Sequence, residues 1–91
     1  MAAFIKTNGI VSEVQPMNKH DFKLKELKEF VGGYIEIVHL QENDIVKADD
    51  LIMVVNEEGL IHRLEYNLIA SLTAGMDIVG DVLVCRSSEV Q

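Results

Sequence analysis

Three histidines, one cysteine and an uneven scatter of carboxylates are the side chains here with chemistry to offer. His20, His39 and His62 stand too far apart in the chain for the H-x-x-x-H spacing that sets two ligands on one helix face. They read as one loop residue and two strand-surface residues, and no metal site is expected. Cys85 closes an apolar run, Val82-Leu83-Val84-Cys85, where a buried, inert thiol is expected. Ser12, Ser71, Ser87 and Ser88 have no base or sharp nucleophile turn around them. Gly32-Gly33 follows a helical segment, which is the wrong end for cradling a phosphate. The acidic stretch Glu42-Asn43-Asp44 with Asp49-Asp50 lacks the spacing and the closing glutamate of an EF-hand loop, so it reads as solvated.

Carboxylates remain. Glu57 and Glu58 adjoin in a turn, and Glu36 and Asp81 fall in strand-like runs. Two clustered acids could exchange protons with a substrate. A carboxylate among apolar neighbours costs free energy unless it is exposed or paired. Asp81, between Gly80 and Val82, is expected to accept backbone N–H bonds at a bulge, a structural role. A small domain also leaves little room for an enclosed site. The reading is against an enzyme, and no cofactor is implied.

The elements that must position these residues follow from periodicity and turn chemistry. Residues 3–15 read as a hairpin, with Asn8-Gly9 supplying a type I′ turn and Pro16 ending the second strand. Residues 17–21 connect to a helix over 23–31, with Asp21 as the expected cap; Leu24, Leu27, Phe30 and Val31 share its apolar face. Gly32-Gly33 stops that helix. Residues 34–40 form a strand, 41–50 an exposed acidic loop, and Leu51-Ile52-Met53-Val54-Val55 a central strand covered on both faces. Residues 56–59 turn, and 60–64 return as another strand. Asn67 caps a second helix over 68–73, with Leu68, Ile69 and Leu72 as its apolar face and Gly75 as its stop. The last strand spans 77–85, interrupted at Gly80 by a bulge or close backbone approach. Residues 87–91 are a polar, frayed end. The order β-β-α-β-β-β-α-β predicts one α+β domain over residues 1–91. Its mostly antiparallel, curved sheet has five to six strands, left open or partly closed into a barrel, with two short helices.

Composition narrows the function classes. The apolar fraction of 48% suits a globular chain. No apolar run approaches the roughly 20 residues that span a bilayer, and the first residues do not resemble a signal peptide. With one cysteine the fold needs no oxidation, so the expected location is the reducing cytoplasm. The net charge of −7 is uneven: residues 1–33 hold five Lys and four acids, whereas 34–91 hold three basic residues and eleven acids. Such a surface repels nucleic acid; it reads first as a solubility device, with an acidic face that attracts a basic partner or imitates nucleic acid as the sharper alternative.

The blocks Val31-Gly32-Gly33-Tyr34-Ile35-Glu36, Val54-Val55-Asn56-Glu57-Glu58-Gly59, Asn67 with Ala70, and Ile78-Val79-Gly80-Asp81-Val82-Leu83-Val84 carry a resemblance. In this order they resemble a family of small domains of unknown function carried by bacteriophages and mobile elements of gut bacteria. The likeness runs nearly the whole chain, and the acidic 41–50 loop departs from it. It implies an accessory protein that binds a host protein, a defence component among the candidates. Two other classes stay open: a small-molecule binder that sequesters a nucleotide signal, and a carboxylate-based enzyme. The candidate binding residues are Tyr34, Glu36, Asn56, Glu57, Glu58, Arg63, Asn67 and Asp81. Glu36, Glu57, Glu58 and Asp81 would rim a protein contact, and Arg63 would meet a phosphate. Exposed strand edges make a homo-oligomer an expectation under any of these readings.

Overall fold

The computed structural model describes residues 2–42 and 50–90. Five strands, β1 (Ala2–Ile5), β2 (Val11–Val14), β3 (Ile35–His39), β4 (Leu51–Asn56) and β5 (Val82–Arg86), form one sheet. Helix α1 (Leu24–Val31) joins β2 to β3, and α2 (Leu68–Ala74) joins β4 to β5. The strand order is β2-β1-β5-β4-β3, with every pairing antiparallel. The sheet does not close into a barrel, because β2 and β3 are edges at opposite ends of the order.

Successive side chains of a strand point to opposite faces, and both faces of this sheet are covered. Ile52, Val54, Leu83 and Cys85 pack with Leu27 and Val31 of α1. Met53, Val55 and Val82 pack with Ala70 of α2. The apolar run of β4 is thus buried on both sides, as its composition requires. Phe30 holds the α1 layer, with ring centroids 5.0 Å from Phe4 and 5.9 Å from Phe22. Burial pushes the Cys85 thiol up to about 12, helped by the charge of Glu89, so it stays protonated and unreactive.

Both helices stop where glycine allows a left-handed residue: Gly32 has φ 79° and Gly75 φ 71°. Asn67 caps α2, its Oδ1 accepting from the Ala70 N–H at 3.0 Å.

Several expectations are corrected. Residues 60–64 are not a strand. The backbone coils through 57–63, with the His62 N–H donating to Glu58 O at 3.0 Å and the Leu64 N–H to Gly59 O at 3.0 Å. Gly59 permits this by lying against Val79, where any Cβ would come within 2.8 Å of Val79 Cγ2. The last strand begins at Val82 rather than residue 77, and Val79 only bridges Tyr66. In the first hairpin only Gly9 has positive φ; Asn8 instead accepts the Ile10 N–H at 3.0 Å, so the turn is not type I′. Asp21 does not cap α1, whose N-cap is Lys23. Helix α2 buries Ala70 and Ser71, while Leu68 and Leu72 are 58% and 59% exposed. Residues 87–90 are tied down: Phe22 N–H donates to Glu89 O at 2.6 Å, and Val90 bridges Phe22. The expected 41–50 loop falls largely outside the described residues.

Candidate functional site

Glu36 and Val38 alternate with Ile35 and Ile37 on β3, and Val38 packs into the α2 layer. Glu36 therefore stands on the α2 side of the sheet, opposite Val55 of β4. Beyond β4 the chain enters the 57–63 coil, fixed at its base by Asn56. The Asn56 Nδ2 donates to Val31 O at 3.1 Å, its Oδ1 accepts the Glu58 N–H at 2.8 Å, and the Glu57 N–H donates to Tyr34 O at 2.8 Å. Gly33 must be small here, since an added Cβ would lie 3.0 Å from Asn56 Nδ2.

This coil and the segment after α2 enclose an open groove of about 340 Å³. Glu36, Glu57 and Asp77 line it with Leu60, Ile61 and Met76, over a floor that includes Val55 and Ile78. No basic side chain lines it among the described residues. Leu60 and Ile61 are 82% and 75% exposed, although large aliphatic side chains gain free energy by leaving water.

Of the candidate residues, Glu36, Asn56 and Glu57 come together in this groove. The rest lie elsewhere. Tyr34 is exposed beneath α1, with Lys28 Nζ 5.1 Å from its ring centroid. Glu58 faces His62 across 3.6 Å. Arg63 sits exposed at the tip of the coil with φ 56°. Asn67 is buried and structural, its Nδ2 donating to Ile5 O at 3.1 Å and Gly80 O at 2.9 Å. Asp81 accepts the Thr7 N–H at 2.9 Å, tying the first hairpin to the start of β5.

Leu60, Ile61, Met76 and Asp77 had no signal as site residues. The first two and Asp77 belonged to expected strands, and Met76 to the exit of a helix. Among the described residues no group of three His, Cys, Asp or Glu side chains could hold a metal ion. His20, His39 and His62 are all exposed. Among the described residues no helix is long and apolar enough to cross a membrane.

Residues 3–90 match the model of a domain of unknown function, DUF3846. The chain belongs to the DUF3846 family. No curated protein and no solved structure matches it. In this DUF3846 domain the blocks that carried the sequence resemblance divide into two kinds. Gly32, Gly33, Asn56, Gly59, Asn67 and Gly80 fix backbone paths. Glu36 and Glu57 instead project into the groove and make no internal side-chain bond that the fold requires.

Proposed function

We propose that this DUF3846 domain is a non-enzymatic binding protein whose groove takes a basic, apolar-anchored segment of another protein. The observation that carries this reading is the acidic rim of Glu36, Glu57 and Asp77 around the exposed Leu60 and Ile61. Exposed apolar residues rimmed by polar ones are the usual anatomy of a protein contact. Rim carboxylates speed and orient the approach of a cationic partner, and salt screens that attraction. The same three carboxylates would repel a phosphate-bearing ligand, which favours a protein over a nucleotide. In the phage or mobile-element setting that the sequence resemblance implies, the partner would be a host protein, with defence components as the first to try.

The test uses fluorescent peptides that combine leucine anchors with lysine or arginine, beside charge-reversed copies. The basic peptides are expected to bind, with affinity falling as salt rises. Leu60→Ser with Ile61→Ser should weaken binding at least tenfold, and Glu57→Lys should remove most of the salt dependence. Equal binding of both peptide charges, or indifference to the Leu60 and Ile61 changes, overturns the reading. A small molecule retained in native mass spectra would support the ligand-sequestering alternative.

A further inference from the structure

Among the described residues no strand pairs with the outer side of β3. In an antiparallel ladder, facing pairs alternate between hydrogen-bonded and non-bonded. On the β3–β4 ladder the Glu57 N–H donates to Tyr34 O, and the Leu40 N–H to Leu51 O. The registered partners Glu36↔Val55 and Val38↔Met53 share that parity, so residues 36 and 38 spend their backbone groups on β4. The N–H and C=O of Ile35, Ile37 and His39 therefore point outward from the sheet. Three outward positions spaced by two, centred on one residue, make a self-complementary edge.

We infer that two copies of this chain join β3 to β3 across a two-fold axis at Ile37, extending the sheet from one copy into the next. In that register Ile37 faces Ile37, and Ile35 faces His39 of the other copy. All are bonded pairs, and each outward group finds a partner. Glu36 falls opposite Val38, so no carboxylate faces its own symmetry mate directly, an arrangement that would be destabilising. The edge also has little to discourage pairing: it has no proline and no lysine, and Ile37 is 40% exposed at its centre. The other edge is less suited. On β2, Phe4↔Ser12 and Ala2↔Val14 have the bonded parity set by the Lys6 N–H to Ile10 O bond, leaving only Val11 and Glu13 outward. A symmetric pairing there would set Ser12 against Ser12 and offer fewer bonds.

The occupant is a second copy because the dyad sets the exposed Ile37 against its own mate and gives Glu36 and His39 the apolar partners Val38 and Ile35, so the same five residues complete both sides of the contact. Sedimentation velocity on the full chain, from the highest soluble concentration down to the nanomolar range, should show a species near twice the 10.2 kDa monomer that dissociates on dilution. Ile37→Lys places a charge at the dyad, and Ile37→Pro removes an N–H that β4 does not use. Both should be monomeric at every concentration, with the circular dichroism of the parent. If Ile37→Pro fails to fold, Ile37→Lys alone decides. A parent chain that is monomeric throughout, or a folded Ile37→Lys that still dimerises, overturns the inference.

Discussion

The two faces of the sheet are built from different materials. Against α1, bulky side chains interlock: Phe22, Leu27 and Leu83 are fully buried, and three phenylalanine rings meet edge to face or tilted. Against α2, the helix sits on Ala70 and Ser71, and polar groups hold it down. The Ser71 Oγ donates to Ile78 O at 3.2 Å and accepts the Ile78 N–H at 2.8 Å, and Asn67 bonds β1 and the Gly80 carbonyl. Small residues and hydrogen bonds need little side-chain volume, so Leu68 and Leu72 are left exposed. One face packs bulky side chains from helix and sheet alike, whereas on the other the sheet supplies most of the buried volume and the helix leaves its leucines exposed. That division also separates what a substitution should do on each side.

The largest contrast lies between matched leucines. Leu27→Ala, in the α1 layer, should cost about 2–5 kcal/mol by lost transfer free energy and a residual cavity. Leu72→Ala, on the outer side of α2, should stay within about 0.5 kcal/mol. Urea unfolding of both variants checks the pair, and similar losses would erase the distinction between the faces. Next is Asn67→Ala, which removes a cap and the side-chain donor to two buried carbonyls, Ile5 O and Gly80 O, an expected loss of about 2–4 kcal/mol. A loss below that of an ordinary exposed cap would mean α2 is not held by polar bonds. Gly80→Ala should follow at about 1–3 kcal/mol. Its φ is +81°, and a Cβ would come within 2.8 Å of Leu64 Cδ1, a contact the Leu64 side chain can partly relieve by turning. The smallest effect belongs to the loop that leads into α1. The Asn18 Nδ2 bond to Asp21 Oδ1, at 2.8 Å, holds that carboxyl below its ordinary 3.8, with Lys23 adding to the effect. A lowered folded value means its contribution is present above the ordinary pKa and fades as pH falls through the folded one. Carboxyl titration by NMR should find Asp21 shifted back upward in Asn18→Ala, with little change in stability at neutral pH.

Sequence patterning reached the α1 side more fully than the α2 side, and the reason is physical. Leu27, Phe30 and Val31 follow the helical period, although Leu24, expected on the same face, is 53% exposed; Gly32 has the conformation a stop requires, and the five-residue apolar run of β4 had to be central. Each of those is a local rule acting where volume decides. On the α2 side, hydrophobicity misleads. Leu60 and Ile61 look like strand residues, yet Gly59 presses the backbone onto Val79 and coils it out of the sheet. Leu68 and Leu72 look like a buried stripe, yet Ser71 docks the helix through hydrogen bonds. The acidic half of the groove was legible in Glu36 and Glu57 through charge alone. Its apolar half, and the third carboxylate Asp77, were not, because Leu60 and Ile61 meet Met76 and Asp77 only through tertiary contact between two segments that carry no common motif.

The position of β5 has a further consequence, for synthesis. It lies between β1 and β4, with Ile5 registered against Val82 and Val54 against Leu83, yet it is the last of the five strands to leave the ribosome. Both hairpins are complete before it emerges, and neither has a neighbour to join. Until then each presents an unpaired edge, the condition that favours misassociation of nascent chains. Pairing β1 with β5 closes a loop of nearly the whole chain, so its entropic cost falls on the last contact of the sheet. Without β5, the pair β1–β2 and the pair β3–β4 share no sheet bond, and two-stranded pairs alone are marginal in water.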